Sequence, residues 1–88
     1  MAVDSVPGNW EAGIGERSSS YYTKPFYNKK KELEMRVYWD KGNKHKAVVR
    51  EVGIKDNGDW ISGYPVKTRE AESEEEIDQK AVELMSDT

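Results

Sequence analysis

The chain has 88 residues, 35% of them apolar and 35% charged, with no cysteine and a single histidine, His45. Such a length supports one small domain that buries only about 60% of its unfolded surface, and the composition excludes a disulfide framework, a thiolate zinc site and a cysteine nucleophile. The net charge of −3 hides a polarised arrangement, because residues 17–69 carry 13 Lys/Arg against 6 Asp/Glu whereas residues 70–88 carry 8 acids against Lys80 alone.

Residues 1–20 read as a flexible N-terminal arm. Pro7, Gly8, Gly13, Gly15 and the Ser18, Ser19, Ser20 run punctuate it, and only Trp10 and Ile14 are available to anchor it to a groove. Residues 21–88 are expected to form a single α+β domain. It begins with an aromatic cluster, Tyr21, Tyr22, Phe26 and Tyr27, broken by Pro25 and followed by the basic run Lys29, Lys30, Lys31. From Glu34 to Trp39 the side chains alternate, which predicts a strand over about 33–40. Asp40, Lys41, Gly42, Asn43 and Lys44 supply turn residues, and the β-branched stretch after them predicts a strand over about 45–55. Asn57-Gly58 favours a type I′ hairpin turn, since both central residues need positive φ. A third strand, about 60–68, carries Pro65, which suits an edge position.

A helix over about 74–86 completes the prediction. Ser73 with Glu76 three residues on is a capping-box pattern, and Glu74 and Glu75 suit the positive end of the helix dipole. Ile77, Ala81, Leu84 and Met85 form one apolar stripe. The fold expected is therefore a three-stranded antiparallel β-meander with one C-terminal amphipathic helix packed on one face.

Face consistency predicts the register. A three-residue loop at 41–43 sets Val37 opposite Ala47 and Met35 opposite Val49. A two-residue loop at 57–58 sets Val49 opposite Val66 and Glu51 opposite Tyr64. Both choices gather Met35, Val37, Trp39, Ala47, Val49, Trp60, Tyr64 and Val66 on the helix side, and a one-residue slip would scatter them. The other side then holds Arg36, Tyr38, Lys46, Val48, Arg50, Val52, Ile54, Ile61 and Lys67. That mixture of basic and aliphatic residues is either covered by the aromatic segment 21–27 or left open as a binding surface.

The open face is the first functional candidate. Arg36, Lys44, Lys46 and Arg50 are placed to contact phosphates and Tyr38 to stack on a base, as single-strand binders require, and a β-ribbon of this kind also fits a major groove. The alternative is a small protein-binding regulator or inhibitor that uses the acidic helix through Glu74, Glu75 and Asp78, in the manner of a nucleic-acid mimic. A homodimer through Val52, Ile54 and Ile61 is a third arrangement.

No enzyme is expected. Gly13-Ile14-Gly15 lacks the preceding strand and the Gly-Lys-Ser ending of a phosphate loop, and the serines at 18–20 have no neighbouring histidine to act as a base. Neither a metal nor a cofactor is expected. No apolar run approaches the roughly 18 residues of a membrane span, and the first 15 residues lack the pattern of a signal peptide. A cytoplasmic protein is the expectation.

The element order over about 34–85, with Val66-Lys67-Thr68-Arg69-Glu70-Ala71 joining the last strand to the helix, loosely resembles the arm-type DNA-binding domain of phage integrases. That resemblance implies a sheet that reads a DNA groove. The helix of this chain is far more acidic than the family pattern.

Overall fold

Alternation from Leu33 to Asp40 is realised as a strand in which every second residue is buried. In the computed structural model, which describes residues 6–54, 57 and 60–88, this strand is the third in a sheet order that places it centrally. The elements are β1 (Glu11–Ala12), β2 (Glu16–Arg17), β3 (Tyr21–Asn28), β4 (Leu33–Asp40), β5 (His45–Ile54), β6 (Trp60–Ala71) and α1 (Glu74–Asp87). All pairings are antiparallel, in the order β1-β3-β4-β5-β6, with β2 also on β3. The protein is thus α+β, with a six-stranded sheet and one C-terminal helix.

A three-stranded meander understates this sheet. The aromatic segment expected to break at Pro25 is an eight-residue strand beside β4, with Phe26 opposite Met35. Residues assigned to an arm supply β1 and β2, which flank Pro25 on the outer edge of β3. Between them Gly13 donates its N–H to the Pro25 carbonyl at 2.8 Å. A Cβ on Gly13 would lie 2.8 Å from both Pro25 Cγ and Tyr27 Cε2, so the bulge opposite the proline needs glycine.

The β4–β5 register is the one expected, with Val37 opposite Ala47 and Met35 opposite Val49. The connecting loop has three residues. Asn43 takes φ 60° and donates its N–H to the Asp40 carbonyl, while the Gly42 N–H reaches Asp40 Oδ1 at 2.6 Å.

The β5–β6 register differs from expectation. Val49 faces Lys67, not Val66, because irregularities between Val49 and Arg50 and between Arg50 and Val52 insert extra residues into β6. The Ile54–Trp60 pairing is itself one residue off the expected register in the opposite sense, so the two insertions leave a net shift of one residue, which exchanges the two faces. Lys67 therefore moves to the helix side, and Tyr64 and Val66, expected in the core, are 85% and 46% exposed. Gly63 sits in this irregular stretch, where a Cβ would run into the Glu51 carbonyl oxygen. The Ile54–Trp60 pair closes a longer connection than the two-residue turn expected. Gly58 and the side chains of Ile54, Trp60 and Ile61 lie outside the described residues.

Helix α1 covers one side of the sheet. Ile77, Ala81, Leu84 and Met85 are buried on Met35, Val37, Trp39, Ala47 and Val49, as the two periodicities predict. Trp10, Phe26, Leu33 and Ala71 complete the core. Ser73 caps the helix by accepting the Glu76 N–H at 3.2 Å. At the other end, the buried Trp10 donates its indole N–H to the Met85 carbonyl at 2.9 Å, satisfying one of the helix's unpaired C-terminal acceptors. No helix among the described residues is long and apolar enough to cross a membrane.

Candidate functional site

With α1 on one side, the opposite side of the sheet is not covered by any described element. The aromatic segment 21–27, the alternative cover for this face, is β3, lying in the sheet itself, with Tyr22 and Phe26 turned to the helix side. The pairings arrange the open face in cross-strand rows. Thr23, Tyr38, Lys46 and Glu70 form one, Pro25, Arg36, Val48 and Thr68 the next, and Tyr27, Glu34, Arg50 and Pro65 a third. Four of the five residues expected to bind nucleic acid, Arg36, Tyr38, Lys46 and Arg50, therefore share one surface. Lys44 is exposed at its margin, in the turn that leads into β5.

The side chains interact across strands. Lys46 Nζ lies 4.9 Å from the centre of the Tyr38 ring, and Tyr21 meets that ring edge-on at 5.7 Å. Arg36 is held by Glu34 of its own strand at 3.6 Å. Among the described residues, neither Lys46 nor Arg50 lies within ion-pair distance of a carboxylate, although Glu70 and Glu34 stand opposite them in register. Val48 and Val52 are buried without belonging to the helix-side core. For Val48, the neighbouring positions on its own face are Lys46, Arg50, Arg36 and Thr68.

Tyr21 is a face residue because it stands opposite Asp40, whereas Tyr22 stacks on Trp39 at 5.5 Å on the helix side. The period-2 spacing of Tyr21, Thr23, Pro25 and Tyr27 carries that information in the sequence, and the proline conceals it.

A cleft of about 710 Å³ adjoins the Lys46 end of the face, between the β4–β5 turn and the start of α1. Lys44, Lys46, Glu70, Glu72 and Glu76 line it, with His45 at its wall. His45 is 2% exposed and accepts the Asp40 N–H on Nδ1 at 2.9 Å, which places the proton of the neutral ring on Nε2. That second nitrogen is buried without a hydrogen-bond partner among the described residues. No group of three or more His, Cys, Asp or Glu side chains among the described residues is arranged to hold a metal ion.

The residues of the alternative site are separated by their surroundings. Asp78 is half-buried and its Oδ1 accepts the Trp39 indole N–H at 2.7 Å. Glu74 borders a cleft of about 290 Å³ together with Arg17, Tyr22 and Lys41, and Glu75 is exposed on the first helical turn. Glu76 pairs with Lys80 at 3.1 Å, and Lys80 also donates to the Glu70 carbonyl. The Glu76–Lys80 pair lies within the acidic segment, whereas the two clefts are lined by residues of both the basic and the acidic segment. No family model, no curated protein and no solved structure matches this chain.

Proposed function

We propose that the protein is a non-catalytic binding module that takes single-stranded nucleic acid on the helix-free face of its sheet. The observation that carries this reading is the Tyr21–Tyr38–Lys46 contact row, with Arg50 and Arg36 beside it, on a face with no covering layer among the described residues. Tyr21 is exposed and Tyr38 half-buried, and aromatic rings on such a face offer sequence-tolerant stacking while the cations track phosphates. Lys44 extends the basic line past the edge of the face.

Geometry favours a single strand over a duplex groove. The cations sit on β4 and β5, the central strands, flanked by β3 and β6. Those four strands span about 14 Å at the usual spacing of roughly 4.8 Å, wider than a major groove of about 12 Å. A projecting two-stranded ribbon enters such a groove, but this face does not present one. Catalysis has no support in the site, since the sole histidine is buried and its Nδ1 is already used by the Asp40 N–H. The acidic helix has less support as the functional surface, because Asp78 serves Trp39 and Glu76 serves Lys80.

Fluorescence anisotropy with labelled single-stranded RNA, single-stranded DNA and duplex DNA at low salt tests the proposal. Preferential binding of a single strand is expected. Absence of any complex with all three would end the nucleic-acid reading.

A further inference from the structure

The cleft of about 710 Å³ beside the open face is lined by both signs of charge. Lys44 and Lys46 come from the β4–β5 turn and the start of β5, and Glu70, Glu72 and Glu76 from the end of β6 and the start of α1. Glu76 is paired with Lys80, but among the described residues no ion pair joins Lys44 or Lys46 to Glu70 or Glu72. His45 forms part of the same wall. It is 2% exposed, its Nδ1 is taken by the Asp40 N–H, and its Nε2–H has no acceptor among the described residues. A buried donor left without an acceptor carries a desolvation cost that an acceptor on a ligand removes.

Lys46 stands opposite Glu70 in register, at the end of the row that holds Tyr38. A strand lying over Tyr38 and Lys46 therefore delivers a neighbouring nucleotide to the cleft. Its charges fix how that nucleotide lies. Phosphate oxygens go to the lysines and are repelled by the carboxylates, which leaves the base edge toward Glu70 and Glu72. A carboxylate only accepts hydrogen bonds, and the His45 Nε2–H only donates. Single-stranded bases expose their Watson–Crick edges, and guanine alone carries an acceptor, O6, followed by two N–H donors, at N1 and N2. Adenine and cytosine each offer a single amino donor beside ring acceptors that a carboxylate repels. Uracil sets its one N–H between two carbonyls.

We propose that this cleft is a guanine-reading subsite at the end of the nucleic-acid face, with Glu70 and Glu72 accepting from the base edge and Lys44 and Lys46 holding its phosphate. The inference rests on the single-strand reading of that face and adds a base preference to it. Stacking and phosphate contacts are sequence-tolerant, so a preference for guanine has to arise from the carboxylate wall.

Labelled single-stranded RNA of about 12 residues, uridine throughout except for one guanosine, adenosine or inosine, tests the proposal on the full chain by anisotropy. The guanosine oligomer is expected to bind about tenfold tighter than the adenosine one, which stacks as well but lacks the paired donors. Inosine, which lacks only the 2-amino group, is expected to fall between them. E70Q and E72Q are each expected to reduce the guanosine preference, and E70Q/E72Q to abolish it, while the adenosine oligomer binds at least as well as to the wild type. Guanosine 5′-monophosphate alone is expected to shift the His45 ring and the amides of residues 44–46 and 70–72 in magnetic resonance spectra, more than adenosine 5′-monophosphate does. Equal binding of the guanosine and adenosine oligomers overturns the subsite and leaves the single-strand face standing, as does a preference that survives E70Q/E72Q. Mononucleotide shifts at the cleft with no oligomer bound would remove the face and keep the guanine site. No oligomer binding and no shift overturns both.

Discussion

Salt dependence offers the sharpest test of the proposed nucleic-acid face, because the number of available cations is visible in the structure. Arg36 is engaged by Glu34 at 3.6 Å, which leaves Lys44, Lys46 and Arg50 as the cations able to displace counterions. For a single strand the logarithm of the binding constant falls with the logarithm of salt at a slope of about −0.7 per neutralised phosphate. Three contacts give a slope of about −2, so raising salt from about 50 to about 200 mM weakens binding about 20-fold. Lys46→Gln removes one contact and lowers that loss to about sevenfold, and Arg50→Gln acts alike. Tyr38→Ala is expected to weaken binding at every salt concentration, by about 1–3 kcal/mol, without changing the slope. Arg69→Gln, on the other side of the sheet, leaves both unchanged. Anisotropy titrations of a labelled oligonucleotide of about 12 residues measure these slopes. A slope near zero, or one that responds to Arg69→Gln but not to Lys46→Gln, would refute the assignment of this face.

Stability is expected to respond to five further substitutions, all measurable by urea unfolding. Trp39→Phe replaces the buried indole by a smaller ring and removes the donor to Asp78, and is expected to cost at least about 1.5–3 kcal/mol, the range for a hydrogen bond to a charged group, with the lost packing added to it. An equal loss in Asp78→Asn, which keeps an acceptor oxygen, would show that the carboxylate charge matters more than the contact. Trp10→Ala should cost about 3–5 kcal/mol, as for other buried aromatics, whereas truncation without effect would contradict its place in the core. Gly63→Ala forces the β5–β6 backbones apart at Glu51 and should destabilise by about 1–3 kcal/mol. Glu32 lies at φ 55° in the β3–β4 turn, so Glu32→Gly should stabilise by about 0.5–1 kcal/mol by relieving left-handed strain.

Legibility of the fold in the sequence depends on whether a feature is local. The β4–β5 hairpin is readable because its alternation runs unbroken through Leu33–Asp40 and its turn chemistry, Asp40 through Lys44, fixes a three-residue loop. Helix α1 is readable for the same reason, since Ser73, Glu76 and the Ile77, Ala81, Leu84, Met85 stripe all lie within a few turns of one another. The hairpin also carries Arg36, Tyr38, Lys46 and Arg50, so period-2 alternation and loop length alone assign them to a shared surface.

The remainder depends on contacts between distant segments. Pro25 hides the alternation of β3, and only the pairing of that strand with β1, β2 and β4 makes a proline admissible there, at the interruption between the two short edge strands. The β5–β6 register turns on extra residues accommodated where Gly63 passes close to the Glu51 carbonyl, a backbone approach that no side-chain pattern encodes. Those insertions expose Tyr64 and Val66 and turn Lys67 to the helix side. Trp10 reaches the core through a hydrogen bond to Met85, 75 residues away. Short-range patterns therefore determined which segments from Leu33 onward are strands and helix and which residues share the central hairpin's face. Sheet width, edge identity and the facing of β6 were decided by the tertiary structure, because a single inserted residue reverses every side chain beyond it and only the packed sheet sets where the insertion falls.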